Sequence, residues 1–323
     1  MSLHLESPRQ ADTRREDPHY AFACKVIDWQ EYLVYRPFYP SSMWEAWLRY
    51  HESHGGGFRA AHDIGAGPGV AALELSKHFS HVFVSDAGEL NIAEAKQNLQ
   101  PSERFTCSQV PAEVSWLGDA SVDFACICMA LHFMDPDIAI RNAAKAIRPG
   151  GTLAICTYSF KLNFPGCRKL QRLWLDVMTV AVRSFMVGEY CIPRAVEGLR
   201  RVMIGLDYAS IPEELFGHVQ RWQISVENEK KPFCFFDDDE FKHAKSNVQA
   251  HEQVQQIIDH SWRREVDVDW LRGILASSNL GLTEEQCEMP SWRELQRVID
   301  EEMAGKVIIE WPVAMIMATR KRD

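Results

Sequence analysis

Asp63-Ile64-Gly65-Ala66-Gly67-Pro68-Gly69 is the stretch that decides how this chain folds. Glycine at every second position gives a backbone free to take positive φ and open to a ligand that would otherwise meet a Cβ. A strand-like run, 60–64, leads into it, and a helical pattern leads out from Val70 through Phe79. A loop that feeds a helix start presents unpaired N–H groups to a polar part of a ligand. A dinucleotide fingerprint would need a third glycine or alanine at position 70, where this chain has valine.

Outward from the loop, strand and helix alternate. Strands are expected at 60–64, 81–86, 105–108, 122–129 and 152–158, with helices up to 79 and over 89–99 and 136–147. Such alternation specifies a parallel sheet with helices on both faces. Asp86 ends the second strand, seventeen residues after Gly69, where a carboxylate can accept hydrogen bonds from two ribose hydroxyls. Ala112-Glu113 follows the third strand, Ala130-Leu131-His132-Phe133-Met134-Asp135 follows the fourth, and Arg148-Pro149-Gly150-Gly151 precedes the fifth.

The pattern D-x-G-x-G-x-G, with these elements in this order, resembles the first motif of class I S-adenosylmethionine (SAM) dependent methyltransferases. A carboxylate at Asp63 suits a cofactor with an ammonium and a sulfonium group, not a pyrophosphate. Upstream, Tyr35-Arg36-Pro37-Phe38-Tyr39-Pro40, together with the Ala-x-His-x-x-Asp run at 130–135, resembles the trans-aconitate methyltransferase-like group common among fungal small-molecule methyltransferases. The resemblance implies a doubly wound, Rossmann-like, seven-stranded α/β sheet. Segments 219–226 and 307–319 would supply its last two strands, the final one antiparallel. It also implies SAM as cofactor, S-adenosylhomocysteine (SAH) as product and a small-molecule acceptor, with carboxylate or hydroxyl oxygen favoured over thiol or nitrogen.

On that resemblance the cofactor set is Tyr35, Asp63, Gly65, Ala66, Gly67, Gly69, Asp86, Ala87, Ala112, Glu113, Met129 and Ala130. Many members of the group carry an aspartate where this chain has Pro111, so the adenine amino contact passes to the backbone near Ala112 or to the Glu113 side chain. His132, beyond the fourth strand, is the candidate catalytic base, since an ordinary imidazole titrates near neutrality. Tyr20, Trp29, Tyr32 and Tyr35 are candidates for an N-terminal lid. Phe160, Phe164, Trp174, Phe185 and Tyr190 are candidates for an aromatic acceptor pocket.

The chain divides into a tail and helical lid (1–58), a SAM-binding core (59–159), a helical substrate-side insert (160–217) and a C-terminal completion of the sheet (218–323). Two helices flank the prolines at 37 and 40, the second capped by Ser41 or Ser42. Later helices are expected at 169–187, 194–204, 248–261, 268–277 and 291–303. The acidic run 237–239 reads as a helix cap, and Arg320-Lys321-Arg322 as a solvated end.

Composition narrows the function. The 323 residues are 46% hydrophobic and 25% charged, with a net charge of −10. An acidic chain is a poor nucleic-acid binder, because it lacks the basic field that displaces counterions. No apolar run reaches the ~18 residues of a membrane span. The nine cysteines contain no CxxC pair, and His51 with His54 lacks a third ligand, so no metal site is expected. A reduced, cytoplasmic location is expected. Two other readings compete: a SAM-binding protein with a regulatory or non-methylating role, and a nicotinamide dehydrogenase that would bind NAD more tightly than SAM.

Overall fold

Two helices, α1 (Trp29–Val34) and α2 (Ser41–Ser53), precede the sheet. The core follows as β1 (Ala60–Ile64), α3 (Val70–Leu75), β2 (His81–Asp86), α4 (Glu89–Asn98), β3 (Phe105–Gln109), β4 (Val122–Cys128), α5 (Pro136–Ala146) and β5 (Ile147–Tyr158). Then come α6 (Arg168–Val187), α7 (Pro193–Val202), β6 (Phe216–Ile224), β7 (Gln253–Ile257), β8 (Arg263–Val266), α8 (Val268–Ser277), α9 (Glu284–Cys287), α10 (Pro290–Arg297), β9 (Val307–Glu310) and β10 (Val313–Arg320). This computed structural model describes residues 29–187, 193–226, 231–236, 244–278 and 280–322.

The main sheet runs β3-β2-β1-β4-β5-β10-β6-β7. The first five strands are mutually parallel, and β10 is antiparallel to both β5 and β6. The expected seven-strand arrangement is therefore present, and an eighth strand, β7, extends it along the outer edge of β6. Chain order reverses at β1, whose neighbours are β2 and β4. The crevice beyond the carboxyl ends of β1 and β4 is thus the switch point where ligands bind in open sheets.

Burial explains why the central strands lack alternation. Every residue of β1 is buried, and so is β4 up to Ile127, because helices cover both faces. One face packs Trp47, Phe79, Phe124 and Trp174, while the other packs Ile64, Ile127, Ile140, Ile155 and Ile316. Trp47 of α2 lies against Phe124 of β4 with ring centres 6.1 Å apart, which fixes the N-terminal helices to the sheet. No helix among the described residues is long and apolar enough to cross a membrane.

Several expectations are corrected. The helix expected at 248–261 is replaced by β7, because the free edge of β6 offers backbone partners that outweigh a weak local propensity. The segment 307–319 is two strands, with β9 leaving the main sheet at Pro312 to pair with β8. The residue capping α2 is Pro40, and no side chain caps it; Ser42 Oγ instead donates to Asp259 Oδ2 at 2.6 Å. Arg320 is not solvated, since its guanidinium donates to the carbonyls of Ala144 and Leu215. The acidic run at 237–239, Tyr20, Tyr190 and the tail up to residue 28 lie outside the described residues.

Candidate active site

A cavity of about 280 Å³ opens beyond the carboxyl ends of β1, β2, β4 and β5. Its lining includes Asp63, Gly65, Ala66, Gly67, Asp86, Ala87, Ala112, Glu113, Met129, Ala130 and His132. Eleven residues singled out from the sequence therefore meet at one place, drawn from four separate stretches of chain.

The loop is built around its glycines. Gly65 has φ +68°, and a Cβ there would sit 2.6 Å from Ala130 Cβ and Met134 Cε. Gly67 has φ +53°, and its Cβ position lies 3.2 Å from the Trp29 ring, so the first helix rests directly on the loop. Gly69 takes another role: it starts α3 and packs against Leu99, off the cavity wall. The carboxylate of Asp86 braces the loop from the next strand. Its Oδ2 accepts from Gly67 N at 2.9 Å, and its Oδ1 from Gly88 N and Asn91 Nδ2 at 2.8 and 2.9 Å. A carboxylate offers about four lone-pair sites, so three bonds leave one unused.

Asp63 is 1% exposed. Its Oδ2 accepts from Ala72 N at 2.8 Å, and its Oδ1 faces Cys126 Sγ at 3.6 Å. Burial pushes its pKa up to about 7, the nearby Asp86 adds to this, and the two hydrogen bonds offset only part of the shift. The carboxyl of Glu113 is half committed: Oε1 accepts from Asp135 N and Arg194 Nη2 at 2.8 and 3.2 Å, whereas Oε2 is buried with no partner. A buried acceptor left unpaired costs ~1–3 kcal/mol. A ligand N–H donor would relieve that cost.

His132 lies in the turn after β4 and is 5% exposed. Arg194 and Arg201 of α7 hold this turn by donating to the carbonyls of Phe133, His132 and Met134. Burial, and then the Arg201 charge, lower the imidazole pKa to about 3. At neutral pH the ring is uncharged and is a far weaker base than an ordinary histidine. Next to it, Met129 takes φ +52° with its sulfur against Tyr158 N at 3.1 Å. Positive φ on a non-glycine residue is a cost that structures tend to carry at functional turns.

Tyr35 is not in this group. It follows the last residue of α1, whereas Trp29, Tyr32, Leu33 and Arg36, which recur at helical spacing, do line the cavity. Its ring packs on α8 instead, 6.1 Å from Trp270 and over Gly273, whose Cβ position is 2.0 Å from Tyr35 Cε1. Of the expected acceptor aromatics, Phe160 and Phe185 line the cavity, whereas Phe164 and Trp174 are buried against each other in the core. Residues not singled out also line it, including Arg36, Tyr39 and Tyr158. Two signals were available for them: the i, i+3, i+4, i+7 spacing from Trp29 to Arg36, and the place of Tyr158 as the last residue of β5. His51, by contrast, is a core residue bonded to Thr152 Oγ1 and Gly57 O.

Comparison with known proteins agrees with the fold. Residues 62–155 match the methyltransferase domain family. A methyltransferase of Claviceps purpurea is 28% identical over 300 residues, covering 90% of this chain and 91% of its own. Methyltransferase AacuQ of Aspergillus aculeatus is 27% identical over 91% of this chain and 93% of its own. Methyltransferase tpcM of Aspergillus fumigatus is 39% identical over 155 residues, 48% of each chain. A solved structure described as a type II methyltransferase of Anaeromyxobacter dehalogenans shares the fold with a TM-score of 0.52 at 19% identity, covering 88% of this chain and 97% of that one.

The fold is the Rossmann-like one of class I methyltransferases, and residues 62–155 carry the methyltransferase domain. The protein is a SAM-dependent methyltransferase, similar over nearly its whole length to fungal methyltransferases.

Proposed function

We propose that the protein transfers the methyl group of SAM to an oxygen of a small, largely aromatic molecule held between the sheet edge, the lid α1 and the insert helices α6 and α7. The observation that carries this reading is the lining of the cavity. Polar groups gather at the β1–β2 end, and aromatic side chains (Tyr32, Tyr39, Phe133, Tyr158, Phe160 and Phe185) line the rest.

The polar end fits SAM on its own chemistry. Asp86 keeps a free lone pair for a ribose hydroxyl, the orphaned Glu113 Oε2 suits the adenine amino group, and Asp63 suits the ammonium. Gly65 and Gly67 leave space over the loop, and Ala66, Ala87, Ala112, Met129 and Ala130 complete the wall. SAM supplies a methyl group already activated on a sulfonium sulfur. What remains for the chain is to align the acceptor and exclude water. Trp29 and Tyr32 cover the loop side, which supports α1 acting as a lid on the core at 59–159. The insert at 160–217 contributes Phe160 and Phe185, and residues 218–323 complete the sheet. A neutral His132 is suited to accept a hydrogen bond from an acceptor hydroxyl and orient it.

Titration calorimetry with SAM, SAH and NAD, followed by incubation with methyl-labelled SAM and small aromatic acids and phenols, tests the proposal. SAM and SAH binding with label transferred to an organic-soluble product is the expected result. Tighter NAD binding would overturn the cofactor assignment. SAM binding with no transfer to any oxygen acceptor would favour a non-methylating role.

A further inference from the structure

Arg36 is the single Lys or Arg among the described residues that line the cavity, and it is 5% exposed. No carboxylate pairs with it. Its Nη1 donates to Ser277 Oγ at 2.7 Å and Tyr35 O at 3.2 Å, and its Nη2 to Ser277 O at 2.9 Å. A guanidinium has five N–H donors. Three are used, which leaves the Nε–H and one Nη2–H, the two that form one straight edge of the fork. Nε is buried with no partner. The plane of the cation is covered by the Tyr32 ring at 4.0 Å and flanked by the Phe160 ring at 5.1 Å. A buried, unpaired charge costs several kcal/mol, and aromatic faces and carbonyl oxygens recover only part of that.

We propose that Arg36 is the acceptor-recognition residue, and that its free edge takes a carboxylate carried by the aromatic acceptor. This rests on the methyl-transfer reading above and names its substrate class: aromatic carboxylic acids. Arg36 is placed on the acceptor side. Its neighbours are Phe160 beyond β5 and Ser277 at the end of α8, whereas the polar groups suited to the cofactor belong to other segments, the loop, β2 and the stretch after β3, and none of them bonds to it. A planar two-donor edge matches a carboxylate in a bidentate pair, a geometry lysine cannot reproduce. Stacked rings on the cation favour a flat ligand beside it.

The test uses SAH-loaded full-length protein and a matched pair of probes, 2-naphthoate and 2-naphthamide, with binding read by calorimetry. The expected result is a preference of about tenfold or more for the acid. The preference disappears in Arg36→Gln and shrinks in Arg36→Lys, while SAH affinity stays within about threefold of the parent. Equal binding of the two probes by the parent protein, or no binding of either, overturns the proposal without recourse to any variant. So does an Arg36→Gln variant that loses SAH affinity tenfold while keeping 5′-methylthioadenosine affinity, because the guanidinium then serves the carboxylate of the cofactor. Failure of the parent protein to bind SAH at all would instead overturn the methyl-transfer reading.

Discussion

Asp63 and His132 are both buried beside the cavity, and burial moves their pKa values in opposite senses, to about 7 and about 3. A cation arriving near Asp63 favours its ionised form, so SAM binding near pH 7 should release about half a proton, and closer to one at pH 6. Affinity should rise from pH 6 to 8 as the carboxyl ionises unaided. Calorimetry in buffers of differing ionisation enthalpy reads the proton directly, and Asp63→Asn should abolish it; a pH-independent affinity would mean that Asp63 does not feel the cofactor. For His132, a neutral ring that only orients the acceptor predicts a kcat loss of about tenfold in His132→Asn, the worth of one ordinary hydrogen bond. A general base would lose ~10²–10⁴-fold, and an acidic limb near pH 6.5 that vanishes in the variant would restore that role. The sequence placed His132 correctly, but its burial, and the Arg201 charge that further lowers its pKa, come from a helix some seventy residues away. No local pattern carries that information. The free Glu113 Oε2 was legible in part, because Pro111 in place of an acidic residue already pointed to Glu113.

At the scale of elements, α1 is hydrogen-bonded to α8 and its flanking strand at one end and lies against the glycine loop at the other. Its last carbonyl, Val34 O, accepts from Arg264 Nη1 and Trp270 Nε1, both at 3.0 Å, and Tyr35 beds into the backbone of α8 at Gly273. Its first residue, Trp29, lies on Gly67. Gly273→Ala should therefore act against its own propensity. Alanine in a helix interior gains about 1 kcal/mol, but its methyl must displace the Tyr35 ring. The expected outcome is faster SAH release with α8 still helical, seen in stopped-flow tryptophan fluorescence and far-UV circular dichroism. Unaltered release would mean that the anchoring of α1 does not govern the lid. The elements best read from sequence, β1 to β5, are those buried on both faces or bounded by glycine and proline. β7 was misread because Val254 and Ile257 mimic a helical stripe, and only the open edge of β6 decides the outcome. Tyr35 lies off the cavity wall because it follows the end of α1 and packs on Trp270 of α8, whereas the aromatic residues within α1, Trp29 and Tyr32, face the cavity.

For the molecule as a whole, three buried groups set a pH window. His62 and His132 are lowered by burial to about 3, and Asp63 is raised to about 7. Between pH 3.8 and 6.5 the unfolded chain binds protons on both imidazoles that the folded chain refuses, while the folded chain keeps one on Asp63 that the unfolded chain has lost. The difference is 2 − 1 = 1 proton in favour of the unfolded state. Stability from these groups therefore rises with pH at about 1.4 kcal/mol per unit over that range and turns over near 6.5. Urea unfolding from pH 4 to 8 checks this, and rising stability on acidification would contradict it. The position of β10 has a separate consequence, for the order in which the chain can mature. Residues 313–320 follow every other strand of the sheet in sequence yet lie inside it, with β5 on one side and β6 on the other, and Arg320 ties their end to α5. During synthesis β5 and β6 must each wait as open edges until β10 leaves the ribosome. Removal of residues 313–322 should leave a product that aggregates on expression and is cut rapidly by protease, whereas a soluble, protease-resistant product would show that β1–β5 mature without their last neighbour.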